Sequence, residues 1–372
     1  MKKIVWLLLC GLIIAPVWLP GSTLPERLKA PRADAGSCEA SNEELRQAMA
    51  EVHDKQQNVG LSVAIRRGGK AVYSSRMGMA DLEHRAPVGP DTRFGIASIT
   101  KLFTAIALLK LRSAGKIDLD APVQKYVPEY PKKPEGEITV RMLATHRSGI
   151  PHPQNRTPKL FATHYASALD AMEVYRDEPL ASKPDSKYLY SSSNYNLIAA
   201  AIEKVTGKRF TEVVEREILK PLGLKDTSFD NVLRTVPNRS RRYSYYHPWT
   251  YAESDELFVV PIWDYSFNAG GGGLISTAGD VARFGESLMG PGFLTAEEME
   301  IFLSDDWFGR KDDKGRRLIY ATGANPGVQA ALAVYPDLKT SASVLSNTWG
   351  KGSRSGEMVD LAKRLAALCV GK

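Results

Sequence analysis

The segments that alternate like β-strands sit towards the two ends of this chain, with its whole middle between them. "VGLSVAIRRGGKAVYSSRMGMAD" (59–81) reads as two strands around a turn at Arg67–Gly69. "RRLIYATGANPGVQAALAVYPD" (316–337) and "TSASVLSNTW" (340–349) alternate in the same way. From 116 to about 225 the chain is mostly helical and loop-rich. "ITVRMLATHRSGI" (138–150), "NYNLIAAAIEKVTG" (194–207), closed by Gly207, and "RFTEVVEREILKPLGL" (209–224), stopped by Pro221, read as helices. Residues 226–268 are irregular and aromatic-rich. "GGGGLISTAGDVARFGESLM" (270–289) passes from glycines through a strand-like piece into a helix near Thr277. Amphipathic helices bracket the whole: 41–56, with Ser41 and Glu44 spaced as a capping box, and 352–370. A sheet split in sequence around a helical insert makes an α+β fold, with two subdomains sharing one cleft.

Length and composition fit this. The chain has 372 residues, 43% of them hydrophobic, enough for one large domain or two smaller ones. The net charge of +7 is modest, and its cations are scattered, with short clusters at Arg239–Arg242 and Lys363–Arg364. No basic stripe interleaves with aromatics, so no nucleic-acid partner is expected. At the start, "MKKIVWLLLCGLIIAPVWLPGS" places two lysines before an apolar run from Ile4 to Leu19. That is the shape of a secretory signal, and Pro16 and its length argue against a full membrane span. A small-x-small cleavage site is missing near its end. Residues 1–22 are therefore expected to act as a signal peptide or to remain as an N-terminal membrane anchor, 23–40 as a linker, and 41–370 as a single exported domain, periplasmic or extracellular. Cys10 belongs to the apolar run. Cys38 and Cys369 lie at the two ends of the exported part, where they either pair or remain two buried thiols.

Chemistry concentrates in "FGIASITKLFTAIALLKL" (94–111), which reads as an apolar helix with Ser98 and Lys101 at its mouth. Residues three apart share a helix face. A serine hydroxyl needs a base, and a neutral lysine amine can be one. Bringing its pKa from about 10.4 to near 7 takes roughly 4.6 kcal/mol. A helix dipole supplies only about 0.3–1 kcal/mol, whereas desolvation can supply 3–5 pKa units. The apolar flank of Leu102, Phe103 and Ile106 therefore matters more than the dipole. The helix N-terminus also offers N–H groups to an oxyanion. A phenol, Tyr190 in "YLYSSSNYN" (188–196), is a candidate proton shuttle. Thr322–Gly323 in "YATGANPG" (320–327) can offer a backbone N–H across the cleft.

Other chemistries fit poorly. No zinc-hydrolase histidine pattern or Gly-x-Ser-x-Gly elbow occurs, and Gly270–Gly273 lacks the Lys-Ser/Thr of a phosphate loop, so it reads as a tight turn into a strand. His146 and His152 flank a Ser-Gly-Ile-Pro turn and read as loop structure. The aromatic run 241–251 either rims a cleft or covers the core.

"RFGIASITKLFTAIALLKLRSAGKIDLDAPVQKYVPEYP", "ITVRMLATHRSGIP", "YSSSNYNLIAAAIEKVTGKRF", "ILKPLGLKDTSF" and "GGGGLISTAGDVARF" occur in that order. Together they resemble the serine β-lactamase and penicillin-binding-protein superfamily, above all its branch of class C β-lactamases, DD-peptidases and esterases. The resemblance implies an antiparallel sheet flanked by helices, with a helical subdomain at about 116–260. It implies Ser98 as acylated nucleophile, Lys101 as its proton partner and Tyr190 as the phenol of a Tyr-x-Asn motif. The N–H groups of Ser98 and Ala324 would form the oxyanion hole. Its terminal helices pack together, which suits a Cys38–Cys369 pair. Two positions depart from the pattern. Ser192 stands where Asn is expected, and Ala321 stands where Lys or His precedes Thr322–Gly323. Losing that cation removes a partner for a substrate carboxylate. The expectation is an exported serine hydrolase of a small-molecule or peptide amide or ester: a β-lactam, a D-amino-acid peptide or a small ester. The rival is a penicillin-binding sensor of the same fold that is acylated without turnover. No metal or organic cofactor is implied.

Overall fold

A computed structural model of the chain describes residues 32–34, 38, 42–153, 157–290, 292–352 and 355–369. The signal or anchor expected over 1–22, most of the linker and Ser41 of the capping box lie outside the described residues. In chain order, strand β1 is Arg32–Asp34, helix α1 is Asn42–Gln56, and strands β2 (Gly60–Arg67) and β3 (Lys70–Asp81) form the expected hairpin. Helices α2 (Thr100–Ser113), α3 (Ser192–Thr206) and α4 (Ala278–Ser287) follow. Strands β4 (Gly309–Lys311), β5 (Arg317–Asn325), β6 (Val328–Tyr335) and β7 (Thr340–Ser346) come next, and helix α5 (Ser355–Leu368) closes the fold.

The two ends of the chain meet in one antiparallel sheet of order β1–β3–β2–β7–β6–β5–β4, with the short strand Ala86–Pro87 added on β3. The joint is the β2–β7 ladder, in register at Val63↔Val344 and Ser62↔Leu345. Side chains alternate across a strand, so each strand feeds two cores. In β6, Ala331, Ala333 and Tyr335 join Leu45, Met49, Met358 and Leu365 of α1 and α5. Ala330, Leu332 and Val334 join the larger core on the opposite face. There α4 lies so close that a Cβ at Gly285 would stand 2.2 Å from Ser341 Oγ. Helix α2 runs through that larger core. Leu102, Phe103, Ile106 and Leu109 are fully buried, and Phe103 stacks on Phe284 of α4 at 3.8 Å between ring centroids. Each such side chain contributes about 1.5–3 kcal/mol of burial.

Several segments differ from the sequence reading. The linker contributes edge strand β1, paired with Arg76–Ser74 of β3. The helix expected over 138–150 is one turn and a little more, Val140–Ala144, capped by Thr139. The helix over 209–224 is interrupted by a π-turn at Glu215–Leu219 and ends at left-handed Gly223. Within the irregular 226–268 segment, Tyr243–Tyr246 and Glu253–Val259 pair as a ribbon. The glycines at 270–272 belong to a helical turn, Ala269–Gly272, before the strand Leu274–Ser276.

A disulfide joins Cys38 to Cys369 across 331 residues of sequence, with 4.5 Å between their Cα atoms. It ties the chain ahead of α1 to the end of α5, the two helices that share one sheet face. Replacing Cys369 by Ser should lower the unfolding free energy by about 2–4 kcal/mol. Urea unfolding of the oxidised protein and the variant, side by side, measures this; coincident curves would contradict a staple.

Candidate active site

Ser98 sits in a 3-10 turn, Ala97–Ile99, that feeds α2. The sequence reading placed it on the α-helix itself; the tighter turn comes first because the chain arrives from a strand. Phe94–Gly95 pairs with Ser276–Ile275, and Ile96 N–H donates to Leu274 O at 3.0 Å. The reversal between strand and helix falls on Ala97, whose φ of +42° is uncommon for a residue with a Cβ. Such conformations persist where the surroundings over-determine them. Here a strand on one side and a buried helix on the other do so.

Lys101 lies one turn on and is only 3% exposed. Its Nζ donates to Ser98 Oγ at 3.0 Å, Ser192 Oγ at 3.0 Å and Gly271 O at 2.7 Å. An ammonium has three donors, and all three are placed. Among the described residues no carboxylate pairs with it. The glycine run explains the third bond. A Cβ at Gly270 would meet Tyr195 O at 2.3 Å, and one at Gly271 would meet Asn268 Oδ1 at 2.3 Å. Only bare backbone brings this carbonyl to the lysine.

Tyr190 closes the group. Its hydroxyl donates to Ser98 Oγ at 2.7 Å, and Lys101 Nζ stands 4.9 Å from its ring centroid. Burial pushes the phenol up. The charge of Lys101, with hydrogen bonds to Lys101, Ser98 and Ser192, outweighs that and holds its pKa below the ordinary tyrosine value. Ser192 is the first residue of α3, behind the N-cap Ser191, so its short hydroxyl meets Lys101 where the expected Asn would have reached.

The opposite wall is β5. A Cβ at Gly323 would stand 2.1 Å from Ile96 O and 3.1 Å from Ser98 N. The strand therefore lies directly on the turn of Ser98, with Thr322 before the contact and Ala324 after it. Ala321 packs half-buried against the larger core and supplies no cation. Three other cations, Arg316, Arg317 and Lys159, do not take its place. Arg316 pairs with Asp312 at 2.7 Å and Arg317 with Asp337 at 2.5 Å. Both lie near the far end of β5, roughly 16 Å along the strand from Thr322. Lys159 is exposed on the short helix Pro158–Ala162.

Sequence reasoning missed two neighbours. The ring of His146 lies 4.6 Å from that of Tyr190, and the ring of His152 lies 5.4 Å from it. Their only sequence signal was the shared flanking of one turn. The aromatic run 241–251 covers the protein's secondary cores. Tyr243 is buried between Glu83 and Leu82 N–H, and Trp249 lies 5.1 Å from Trp263 and 6.2 Å from Phe161.

Known proteins share this sequence pattern and fold. The family model described as Beta-lactamase matches residues 45–367. The chain is 30% identical over 343 residues to the serine beta-lactamase-like protein LACTB, mitochondrial, of Homo sapiens, covering 74% of this chain and 60% of that protein. It is 26% identical over 309 residues to penicillin-binding protein 4* of Bacillus subtilis, covering 77% and 67%. The chain thus spans about three fifths of the length of the human relative. Among solved structures, the octameric penicillin-binding protein homologue from Pyrococcus abyssi superposes with a TM-score of 0.74 at 25% identity, covering 89% of this chain and 77% of that one. A D-stereospecific amidohydrolase from Streptomyces sp. shares the fold, with a TM-score of 0.71 at 24% identity over 87% of this chain and 98% of that one. With a family match running from α1 to α5 and one serine receiving bonds from both a lysine and a tyrosine, the chain belongs to the beta-lactamase family.

Proposed function

We propose that this protein is an exported serine hydrolase that cleaves a neutral ester or amide through an acyl-Ser98 intermediate. The observation that carries the reading is Ser98 Oγ, which receives hydrogen bonds from Lys101 Nζ and Tyr190 OH at once. A hydroxyl held between an ammonium and a phenol of lowered pKa has a route for its proton. In the first step Ser98 Oγ attacks the substrate's carbonyl carbon, and the proton leaves for the Tyr190 oxygen in its phenolate form. Lys101 stabilises that phenolate. The carbonyl oxygen becomes an oxyanion, which the N–H groups of Ser98 and Ala324 receive. The carbonyl–leaving-group bond then breaks, Tyr190 returns the proton to the leaving group, and the acyl group stays on Ser98. Water releases it in a second step.

Ala321 supports the neutral substrate. A carboxylate-bearing ligand would find Thr322 there but no cation beside it. The apolar run behind Lys2 and Lys3 and the disulfide support export, since disulfides persist outside the reducing cytosol. Among the described residues no helix is long and apolar enough to cross a membrane.

Release of p-nitrophenolate from a short-chain p-nitrophenyl ester by residues 37–372 tests the reaction. Sustained release is expected, and Ser98→Ala should fall to background. A burst of about one equivalent that then stops would replace the hydrolase by an acylated sensor. Tyr190→Phe should cost about 10²–10⁴-fold in kcat. Because the Tyr190 pKa is lowered, kcat/KM should rise with pH along a limb whose midpoint lies below 10, and the Phe variant should lose that limb. A rate independent of pH in both proteins would remove Tyr190 from the reaction. Ala321→Lys should raise acylation by a carboxylate-bearing β-lactam by about 10- to 100-fold, as a charged hydrogen bond would, with little change towards the neutral ester. An unchanged β-lactam rate would mean that Ala321 does not set the preference.

A further inference from the structure

The tyrosine that carries the proton lies on a stretch with no regular structure, Tyr188 to Ser191, ahead of α3. Something must hold a phenol within 2.7 Å of the nucleophile from such a stretch. Three contacts to that stretch come from one residue. Leu189 N–H donates to the His146 carbonyl at 2.8 Å. Ser191 N–H donates to His146 Nδ1 at 3.2 Å. The residue between them, Tyr190, has its ring 4.6 Å from the imidazole. We propose that His146 is a positioning residue for Tyr190: it clasps the chain on both sides of that tyrosine, backs its ring, and so sets where the phenol stands relative to Lys101 and Ser98.

The clasp is specific to this imidazole in one tautomer. Asn194 is buried, and its Oδ1 accepts from Ser148 Oγ at 2.5 Å, which turns its Nδ2 towards His146 Nδ1 at 3.1 Å. Nδ1 thus faces two N–H donors, from Ser191 and Asn194. It must be the unprotonated nitrogen, with the proton on Nε2. Burial, with the nearby charges of Lys101 and His152, lowers the His146 pKa to about 3, so the ring stays neutral and keeps accepting. The backbone supports the same role. His146 has φ +58°, a left-handed conformation that turns both its carbonyl and its side chain onto the 189–191 stretch. The rest of the turn grips the start of α3. The Pro151 carbonyl accepts from Ser191 Oγ at 2.8 Å and Ser193 Oγ at 2.9 Å, and His152 Nδ1 accepts from Ser192 N–H at 3.4 Å.

The role rests on the proposed reaction for its effect on rate, but it has a readout that needs no turnover. The groups facing the phenol are Lys101 of α2, Ser98 of the 3-10 turn, Ser192 and Tyr195 of α3, His146 and His152 of the turn, and Tyr188 of its own stretch. Lys101 is the one that lowers its pKa by charge, so a phenol that drifts from Lys101 should titrate higher. Two amide variants separate clasping from filling. His146→Asn keeps an acceptor near the Nδ1 position, and asparagine tolerates the left-handed backbone. His146→Gln fills the space but carries its polar head past Ser191. Tyrosinate absorbance is titrated for each variant and for its Tyr190→Phe partner, the difference being Tyr190 alone; ester hydrolysis is measured alongside.

The expected result is a Tyr190 midpoint raised by about one unit or more in His146→Gln and near that of the parent in His146→Asn. With it should come a fall in kcat of about 10-fold or more for Gln, KM changing little, and most of the rate restored in Asn. Equal midpoints in the parent and His146→Gln would overturn the proposal, as would equal losses in both variants. Activity that survives in Ser98→Ala would instead sink the proposed reaction, while the titration would still decide the clasp.

Discussion

The structure around Ser98 depends on one buried ammonium. Lys101 has left water, and no carboxylate among the described residues compensates its charge; three oxygens do so instead. Those oxygens come from the turn of Ser98, from the first residue of α3 and from the glycine turn before Leu274. Each is a different stretch of chain, so the desolvated charge welds them. Had a carboxylate taken the role, the site would hold a satisfied ion pair and no pull on the phenol. With neutral acceptors only, the positive field stays available to Tyr190, and the shift in its proton affinity follows from that choice.

The same logic explains the glycines. At Gly323 and Gly270 a methyl group would collide with a backbone carbonyl, and at Gly271 and Gly272 with the side-chain amide of Asn268. Their absence of side chains lets main-chain atoms do what side chains do elsewhere. One carbonyl anchors the lysine, and one strand is laid on the serine's N–H. The sheet and helix α2 are built from apolar side chains, whereas around Ser98 polar side chains are joined by bare backbone at Gly271 and Gly323.

This division also decides what the sequence could tell. Ser98 and Lys101 stood out because residues three apart share a helix face, and Tyr190 because long blocks around all three resemble a known superfamily. The split sheet was legible from the alternation of 59–81 and 316–349. Gly271 was not, since a carbonyl's partner leaves no mark in the residue type; the glycines read as a turn and nothing more. His146 was not, since its partners, Leu189 and Ser191, lie far along the chain, and its left-handed backbone is unusual for histidine. The strand at Arg32–Asp34 escaped because three residues carry too little pattern to separate an edge from a linker. Ala97 escaped because alanine gives no hint of a positive φ.

The topology has a consequence for timing. Helix α2 and its serine come early in the chain, whereas the strand laid against that serine, β5, and the strand that joins the sheet halves, β7, come late. A ribosome or a translocation pore delivers the chain in that order. Until β7 pairs with β2, the lysine's apolar surroundings have no sheet to pack on, and until β5 arrives the turn of Ser98 lacks the strand that lies against it. The chain therefore carries Ser98 through synthesis in unassembled surroundings. The surroundings of Ser98 are complete only when the last strands dock, and the bond between Cys38 and Cys369 ties together the two ends of that arrangement.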